Sequence, residues 1–327
     1  MSNSAVFLRP VLVSVCIVTY NQSLWIRECI ESLIFQDADF DYEIIVGDDC
    51  SNDGTAEIVQ EYSERYPELI TSVVRKKNLG AVANLVDVYK RARGQYIAHM
   101  DGDDLAFPNK LKMQVQTFKD NRDIVICSHD VVVIDKKSKV IANSFRRHKE
   151  GLSHLSDLYA CLPFFAHSSK MFLNDKDFSF FENLTPDSID IEIHVWQAKK
   201  GHIFHIEQKL GAYRALSGMT AKNSRVNMLL PNATRRVFDA AIKDCSKKSD
   251  AQILKKHFAK SILNYGYQGA IAGCKVDFVQ YVRESVSIKV ISFVQIMMFF
   301  STYVPSAAIF FSGLRKKIVG YVRLKLK

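Results

Sequence analysis

Residues 42–55 read YEIIVGDDCSNDGT, from Tyr42 to Thr55. Tyr42–Val46 has the length and apolar character of a short strand. It runs directly into Gly47-Asp48-Asp49-Cys50-Ser51-Asn52-Asp53-Gly54, a loop of turn-forming residues. A helix is expected from about Thr55 to Tyr66, closed by Pro67. The same unit of strand, polar loop and helix recurs on either side. Upstream, Val11–Val18 predicts a buried strand and Thr19-Tyr20-Asn21 a polar loop. Ile26, Cys29, Ile30, Leu33 and Ile34 then fall at helical spacing over about 24–36. Downstream, Ile70–Val74 predicts a strand, Ala81–Arg93 a helix stopped at Gly94, and Tyr96–Met100 a fourth strand. That strand ends in Asp101-Gly102-Asp103-Asp104, and Pro108 suits the first turn of a helix over about 108–119.

Strands alternating with helices call for a mostly parallel sheet covered on both faces. Ligands of such sheets bind outside the carboxyl ends of the strands. Thr19-Tyr20-Asn21, Asp48-Asp49 and Asp101-Gly102-Asp103 therefore belong on one rim, although they are far apart in sequence. After Ile124 the pattern changes. Ile124–Ile134 and Val140–Ala142 flank Lys136-Lys137-Ser138-Lys139 as a hairpin, and Ile189–Lys200 predicts a helix. His202–Ile206 and Leu210–Tyr213 predict two strands, and from about Arg225 the chain reads as helices.

The 327 residues carry a formal charge of +9, but unevenly. Residues 221–327 hold 19 Lys/Arg against 5 Asp/Glu, whereas residues 1–220 hold 25 against 30. The basic surplus lies beside apolar segments and is not interleaved with aromatics, which argues against nucleic acid and for an anionic membrane surface. Val290–Leu314 has no charged residue, is interrupted by Pro305, and is followed by Arg315-Lys316-Lys317 and by Arg323, Lys325 and Lys327. A pair of interfacial helices is the first expectation for it, a single span the second and a buried core helix the third. Seven scattered cysteines without a C-x-x-C, and an N-terminus without signal-peptide character, place the protein in a reducing, cytoplasmic setting. The expected organisation is residues 1–225 as one domain and 226–327 as a helical, basic, membrane-associating region. Within the first, residues 11–135 and 136–225 form two halves.

Two carboxylates flanking Gly102 at the tip of a buried strand can turn toward one point. A hard divalent cation, Mn²⁺ or Mg²⁺, would relieve their repulsion. Taken alone, an Asp-x-Asp is more often a solvated turn. Asp48-Asp49 ends another strand, where a carboxylate could accept from a base N–H or a ribose hydroxyl. Arg75-Lys76-Lys77 could meet phosphate. No P-loop and no dinucleotide fingerprint is present, so any phosphates would need a metal.

These stretches together resemble family 2 glycosyltransferases. Val13–Asn21 (VSVCIVTYN) is similar to that family's opening strand, and Tyr42–Thr55 to its second motif. Asn78-Leu79-Gly80, Gly94-Gln95-Tyr96-Ile97, Asp101-Gly102-Asp103-Asp104, Pro108 and Lys110-Leu111 continue the family pattern in order. The resemblance is strong over about 11–135 and weaker through His167-Ser168-Ser169 to Tyr213-Arg214. It implies an α/β GT-A fold: a Rossmann-like, mostly parallel sheet flanked by helices, here followed by a helical C-terminal region. It implies an inverting, metal-dependent transfer from a nucleotide-diphosphate sugar, a UDP-sugar foremost. The acceptor would be a glycan or lipid-linked molecule of cell-surface polysaccharide synthesis, at the inner face of the plasma membrane. By the resemblance Thr19, Tyr20 and Asp49 hold the nucleoside, and Asn21, Asn78 and Gly80 complete the donor site. Asp101 lies by ribose and metal, and Asp103 is the principal metal ligand. The family's base precedes a Lys-Gly turn by about eleven residues. Counting back from Gly201 reaches Asp190, with Asp187 and Glu192 competing. Relatives often carry a His shortly after Tyr-Arg, but here Leu216 is near that place, and Arg214 is a substitute source of positive charge. A non-catalytic nucleotide-sugar or glycan-binding protein on the same fold is the alternative.

Overall fold

The computed structural model describes residues 10–215 and 225–306. In chain order the elements are β1 (Val13–Thr19), α1 (Ile26–Ile34), β2 (Tyr42–Asp48), α2 (Thr55–Arg65), β3 (Ile70–Val74), α3 (Ala81–Arg91), β4 (Tyr96–Asp101), β5 (Leu105–Ala106) and α4 (Lys110–Asp120). There follow β6 (Ile124–Ile134), β7 (Val140–Ala142), β8 (Gly151–Ser153), α5 (Leu155–Ala160), β9 (Met171–Leu173), α6 (Asp190–Ala198) and β10 (His202–Arg214). The last helices are α7 (Leu229–Lys243), α8 (Lys248–Ala272), α9 (Lys275–Ile288) and α10 (Phe293–Ser301). Two compact units divide them, one within Met1–Leu155 and Pro163–Gly218, the other within Ser156–Leu162 and Met219–Lys327.

The first unit is built on one sheet, ordered β3-β2-β1-β4-β9-β6-β10-β5, with β7 beside β6 and β8 beside β10. β3, β2, β1 and β4 run parallel. Their side chains alternate between the two faces. Val13, Val15, Ile17, Ile44, Val46, Ala98 and Met100 join the core with Ile30 and Leu33 of α1, Val59 of α2 and Val115 of α4. Ser14, Cys16 and His99 turn the other way, toward α3, where Cys16 Sγ donates to the Val88 carbonyl and His99 meets Tyr89. Helices on both faces are why these strands read as continuous apolar runs and not as alternating ones.

Three expectations need correction. β9 lies antiparallel between β4 and β6, so the sheet is mixed. Its three residues were too few to show a period. His202–Arg214 is one strand, not two, and register shifts around Ile206–Lys209 and Lys209–Ala212 absorb the polar Glu207-Gln208-Lys209 stretch. Pro108 sits in the turn before α4, which begins at Lys110. The predicted hairpin of β6 and β7 is present.

Register sets the rim. Thr19 pairs with Asp48 and Val18 with Asp101, so β1, β2 and β4 end at one level.

In the second unit α8 turns into α9 at Gly273, whose φ of 79° is the left-handed helix stop that favours glycine. Ala270, Phe278 and Val282 form one buried cluster there, with Met298 and Phe299 of α10 against them. Gln295 is fully buried, donating to Ser285 Oγ and the Lys289 carbonyl and accepting from Ile291 N–H. The opposite side of α10 and the turn after it are bare: Phe293, Val294, Met297, Phe300, Tyr303 and Val304 are all more than half exposed. Among the described residues no helix is long and apolar enough to cross a membrane. Residues 307–327, with Arg315, Lys316, Lys317, Arg323, Lys325 and Lys327, lie outside the described residues.

Candidate active site

The first two polar loops lock into each other. Asn21 takes a left-handed φ of 51°. Its N–H donates to Ser51 Oγ at 2.9 Å, and its Oδ1 accepts from Asn52 N–H at 3.0 Å. Gln22 N–H donates to Thr55 Oγ1 and Ser23 N–H to Asp53. Asp48 is buried and turned back on Ser51 N–H. Asp49 reaches sideways: Oδ1 accepts from Leu79 N–H at 2.8 Å and Oδ2 from Gly80 N–H at 2.9 Å. Asn78 Nδ2 returns a bond to the Asp49 carbonyl at 3.1 Å. Asp49, Asn78 and Gly80 are thus brought together, with two of the Asp49 lone pairs occupied by loop amides. Thr19 is buried with its hydroxyl on Gln22 Oε1, whereas Tyr20 stands half exposed on the rim. Arg75 is spent on Asp87 and Asn84 of α3, leaving Lys76 and Lys77 as the exposed cations there.

The acidic turn is packed against Thr19. A Cβ on Gly102 would come within 2.8 Å of Thr19 Cβ and 2.7 Å of Gln22 Oε1, so only glycine fits. Arg214, fully buried, neutralises the turn from below. Its backbone N–H donates to Asp104 Oδ1 at 2.7 Å and its Nε to the Asp103 carbonyl at 2.7 Å. Its Nη1 donates to the Asp135 carbonyl and Ser138 Oγ, and its Nη2 to Glu28. Arg214 therefore clamps α1, the acidic turn and the β6–β7 hairpin together. It is not the free cation for a diphosphate that the sequence suggested. Asp104 is buried, and burial with the neighbouring Asp103 and Asp101 charges raises its pKa well above the usual carboxylate range. Asp104 thus belongs to the frame. Asp101 is the most open of the three, its side chain 35% exposed, with Ser168 Oγ donating to Oδ2 at 3.3 Å. The Asp101 N–H in turn donates to Ser168 Oγ at 2.9 Å.

Asp190 opens α6 across from this turn. Burial and the Asp101 charge push its pKa up to about 6, against the opposing pull of Lys170. Its two rivals differ. Glu192 caps the helix, Oε2 accepting from Ile189 N–H at 3.0 Å, and Asp187 is exposed.

Behind the two carboxylates lies a buried polar cluster that sequence reasoning missed. His99 joins Tyr89 Oη at 2.9 Å and Asp101 Oδ1 at 3.2 Å and stacks on His167, centroids 3.6 Å apart. His167 in turn meets His194 of α6 edge-on at 5.2 Å. Burial holds all three imidazoles toward the neutral form. The lysine of His167-Ser168-Ser169-Lys170 is fully buried. A lysine entering the apolar run Met171-Phe172-Leu173 was the available signal, but only tertiary packing shows it to be inside. His202 and His205 lie on β10. Leu216, at the place of the expected histidine, lies outside the described residues.

A hard divalent cation takes carboxylate oxygens. Asp101 and Asp103 flank Gly102 on one turn, the Asp101 side chain 35% exposed and Asp103 buried. The imidazoles of His99 and His167, within 4.8 Å of Asp101, are held by their own stack and hydrogen bonds and are not part of that oxygen set. Asp104 does not fit, because Arg214 and burial hold it inward.

A three-layer α/β unit with a polar loop at the carboxyl end of β1 and acids at those of β2 and β4, opposite a carboxylate opening a later helix, defines a GT-A fold. The model of Glycosyl transferase family 2 matches residues 14–178, and the chain belongs to that family. It is 32% identical over 207 residues to an uncharacterized Mycobacterium tuberculosis protein, Rv1520, covering 62% of this chain and 58% of that one. The chain thus matches less than two thirds of that relative's length. Among solved structures it resembles S. aureus TarS 1–349 in complex with UDP-GlcNAc, with TM-score 0.63 and 17% identity over 94% of this chain and 91% of that one. It also resembles the mannosyltransferase PcManGT of Pyrobaculum calidifontis in complex with GDP-Man and Mn²⁺, with TM-score 0.51 and 17% identity over 93% and 87%.

Proposed function

We propose that this chain is an inverting, metal-dependent glycosyltransferase. It would move a sugar from a nucleotide-diphosphate donor, a UDP-sugar foremost, to a glycan or lipid-linked acceptor of surface polysaccharide synthesis. The observation that carries this is Asp190, a partly buried carboxylate raised to about 6 and facing the Asp101 turn. An acceptor hydroxyl is a poor nucleophile. A carboxylate within hydrogen-bond reach takes its proton as the new bond to the anomeric carbon forms, and a pKa near the working pH suits that task. A pure binding protein has no use for a carboxylate held at that cost, which favours catalysis over the non-catalytic alternative.

Tyr20, the remaining acceptor capacity of Asp49, and the loops stapled by Thr19, Asn21, Asn78 and Gly80 frame the nucleoside. Asp101 faces the ribose, and Asp101 and Asp103 would hold Mn²⁺ or Mg²⁺. When bound, that ion offsets charge developing on the leaving diphosphate. Residues 1–225 would carry the reaction, the nucleotide within 11–135 and the acceptor within 136–225. Residues 226–327 would hold the enzyme on the anionic cytoplasmic face of the plasma membrane. The bare apolar side of α10 supports this, as does a chain with no Asp or Glu after Glu284.

A panel of nucleotide sugars tests the reaction, scored for Mn²⁺-dependent transfer and, without acceptor, for donor hydrolysis. One donor turned over by the wild type and bound but not transferred by Asp190→Asn is expected. Full transfer by that variant would move the base to Asp187 or Glu192.

A further inference from the structure

We propose that Lys170 is a positioning residue for Asp190: its buried amine anchors α6 and supplies the positive charge against which the Asp190 carboxylate works. This rests on Asp190 being the base. The Lys170 Nζ donates to Gln197 Oε1 at 3.0 Å and lies 4.9 Å from the centroid of the Phe172 ring. Asp190, His194 and Gln197 fall at i, i+4 and i+7 on one face of α6. A tether at Gln197 therefore fixes the rotation of the helix and with it the direction of Asp190. On its other side Lys170 is tied to the acidic turn, its carbonyl accepting from His99 N–H at 3.1 Å. Ser168, two residues earlier, holds Asp101.

A buried ammonium is unfavourable unless something compensates it. No carboxylate lies within ion-pair distance of Lys170 among the described residues. Burial pulls its pKa down to about 7, and Asp190 and Asp101 are the groups that resist this. The other ionisable groups of the cluster are His99 from β4, His167, His194 from α6, Tyr89 from α3 and Lys110 from α4. Burial keeps the three imidazoles toward neutral, and burial raises the Tyr89 phenol. Lys110 is turned onto Gln114 at 2.8 Å. Lys170 is thus the buried cation whose field lowers the Asp190 pKa. If only packing mattered, methionine would fill the same space without the cost of burying a charge.

The test is the pH dependence of kcat/KM for the full chain with Mn²⁺ and an accepted donor, in wild type, Lys170→Met and Lys170→Gln. Gln keeps a donor for Gln197 and removes the charge. In both variants the acid limb should move up by about one pH unit, with donor KM within about twofold. An acid limb left in place in a folded variant overturns the proposal. A measurement on intact Lys170 stands beside it. Linkage requires that Asp190→Asn lower the Lys170 titration midpoint, read from its side-chain ¹³Cε resonance; equal midpoints in wild type and variant overturn the proposal. Absence of turnover with every donor would count against the proposed reaction instead, and the resonance still decides the role of Lys170.

Discussion

At the scale of single residues, Asp190 and Asp103 are the proposed base and the proposed metal ligand, and each has a distinct signature. Asp190→Asn should cut transfer by at least about 100-fold while leaving donor binding in place. In the wild type, kcat/KM should fall as pH drops through about 6, where Asp190 takes up its proton. The sign for stability is the reverse. Its folded pKa lies above the unfolded one, so the folded state binds the extra proton between the two. Stability contributed by that proton is lost as pH rises through about 6. Asp190→Asn should therefore be as stable as wild type at neutral pH or more so, by on the order of 1 kcal/mol in urea unfolding. Asp103→Ala should abolish Mn²⁺-dependent donor hydrolysis with an unchanged far-UV spectrum; persisting metal-dependent turnover would remove Asp103 from the metal site. Asp101 and Asp103 were legible as a pair because Gly102 separates them at a strand tip. Asp104 was not, since nothing local reveals that Arg214, 110 residues away, holds it inward.

At the scale of elements, the rim depends on how loops are locked together. Gly102→Ala would push a Cβ into Thr19 and Gln22. A loss of about 1–3 kcal/mol in stability is expected, with weaker donor binding read by calorimetry. Arg214→Met removes a fully buried guanidinium that serves three elements. It leaves the Asp103 carbonyl and Glu28 without their partner. Thermal unfolding should show a loss of about 1–3 kcal/mol, and donor affinity should fall with it because the acidic turn is released. Apart from the two-residue β5, the strands and helices up to α4 were readable from periodicity, since each is long enough to show its repeat. β9 and the continuity of β10 were not: three residues carry no period, and a bulged strand mimics two short ones.

At the scale of the whole molecule, the contrast between an acid-lined rim and a basic, apolar C-terminal helix region predicts where the enzyme works. Phe293→Asp with Phe300→Asp should reduce sedimentation with phosphatidylglycerol vesicles by at least about tenfold. Binding of the wild type to neutral phosphatidylcholine vesicles should be weaker and insensitive to salt. Equal binding by variant and wild type would free α10 from that role. The sequence by itself determined the alternation of strands and helices, the rim on which three polar loops meet, and the identity of the acids there. Those features are local, written in periodicity and turn chemistry. Tertiary structure alone decided that Arg214 is buried under the acidic turn, that Lys170 and three histidines lie behind Asp190, and that Glu192 is a cap. Burial and charge proximity depend on which distant segments pack together, and a carboxylate's role follows from that surrounding more than from its neighbours in the chain.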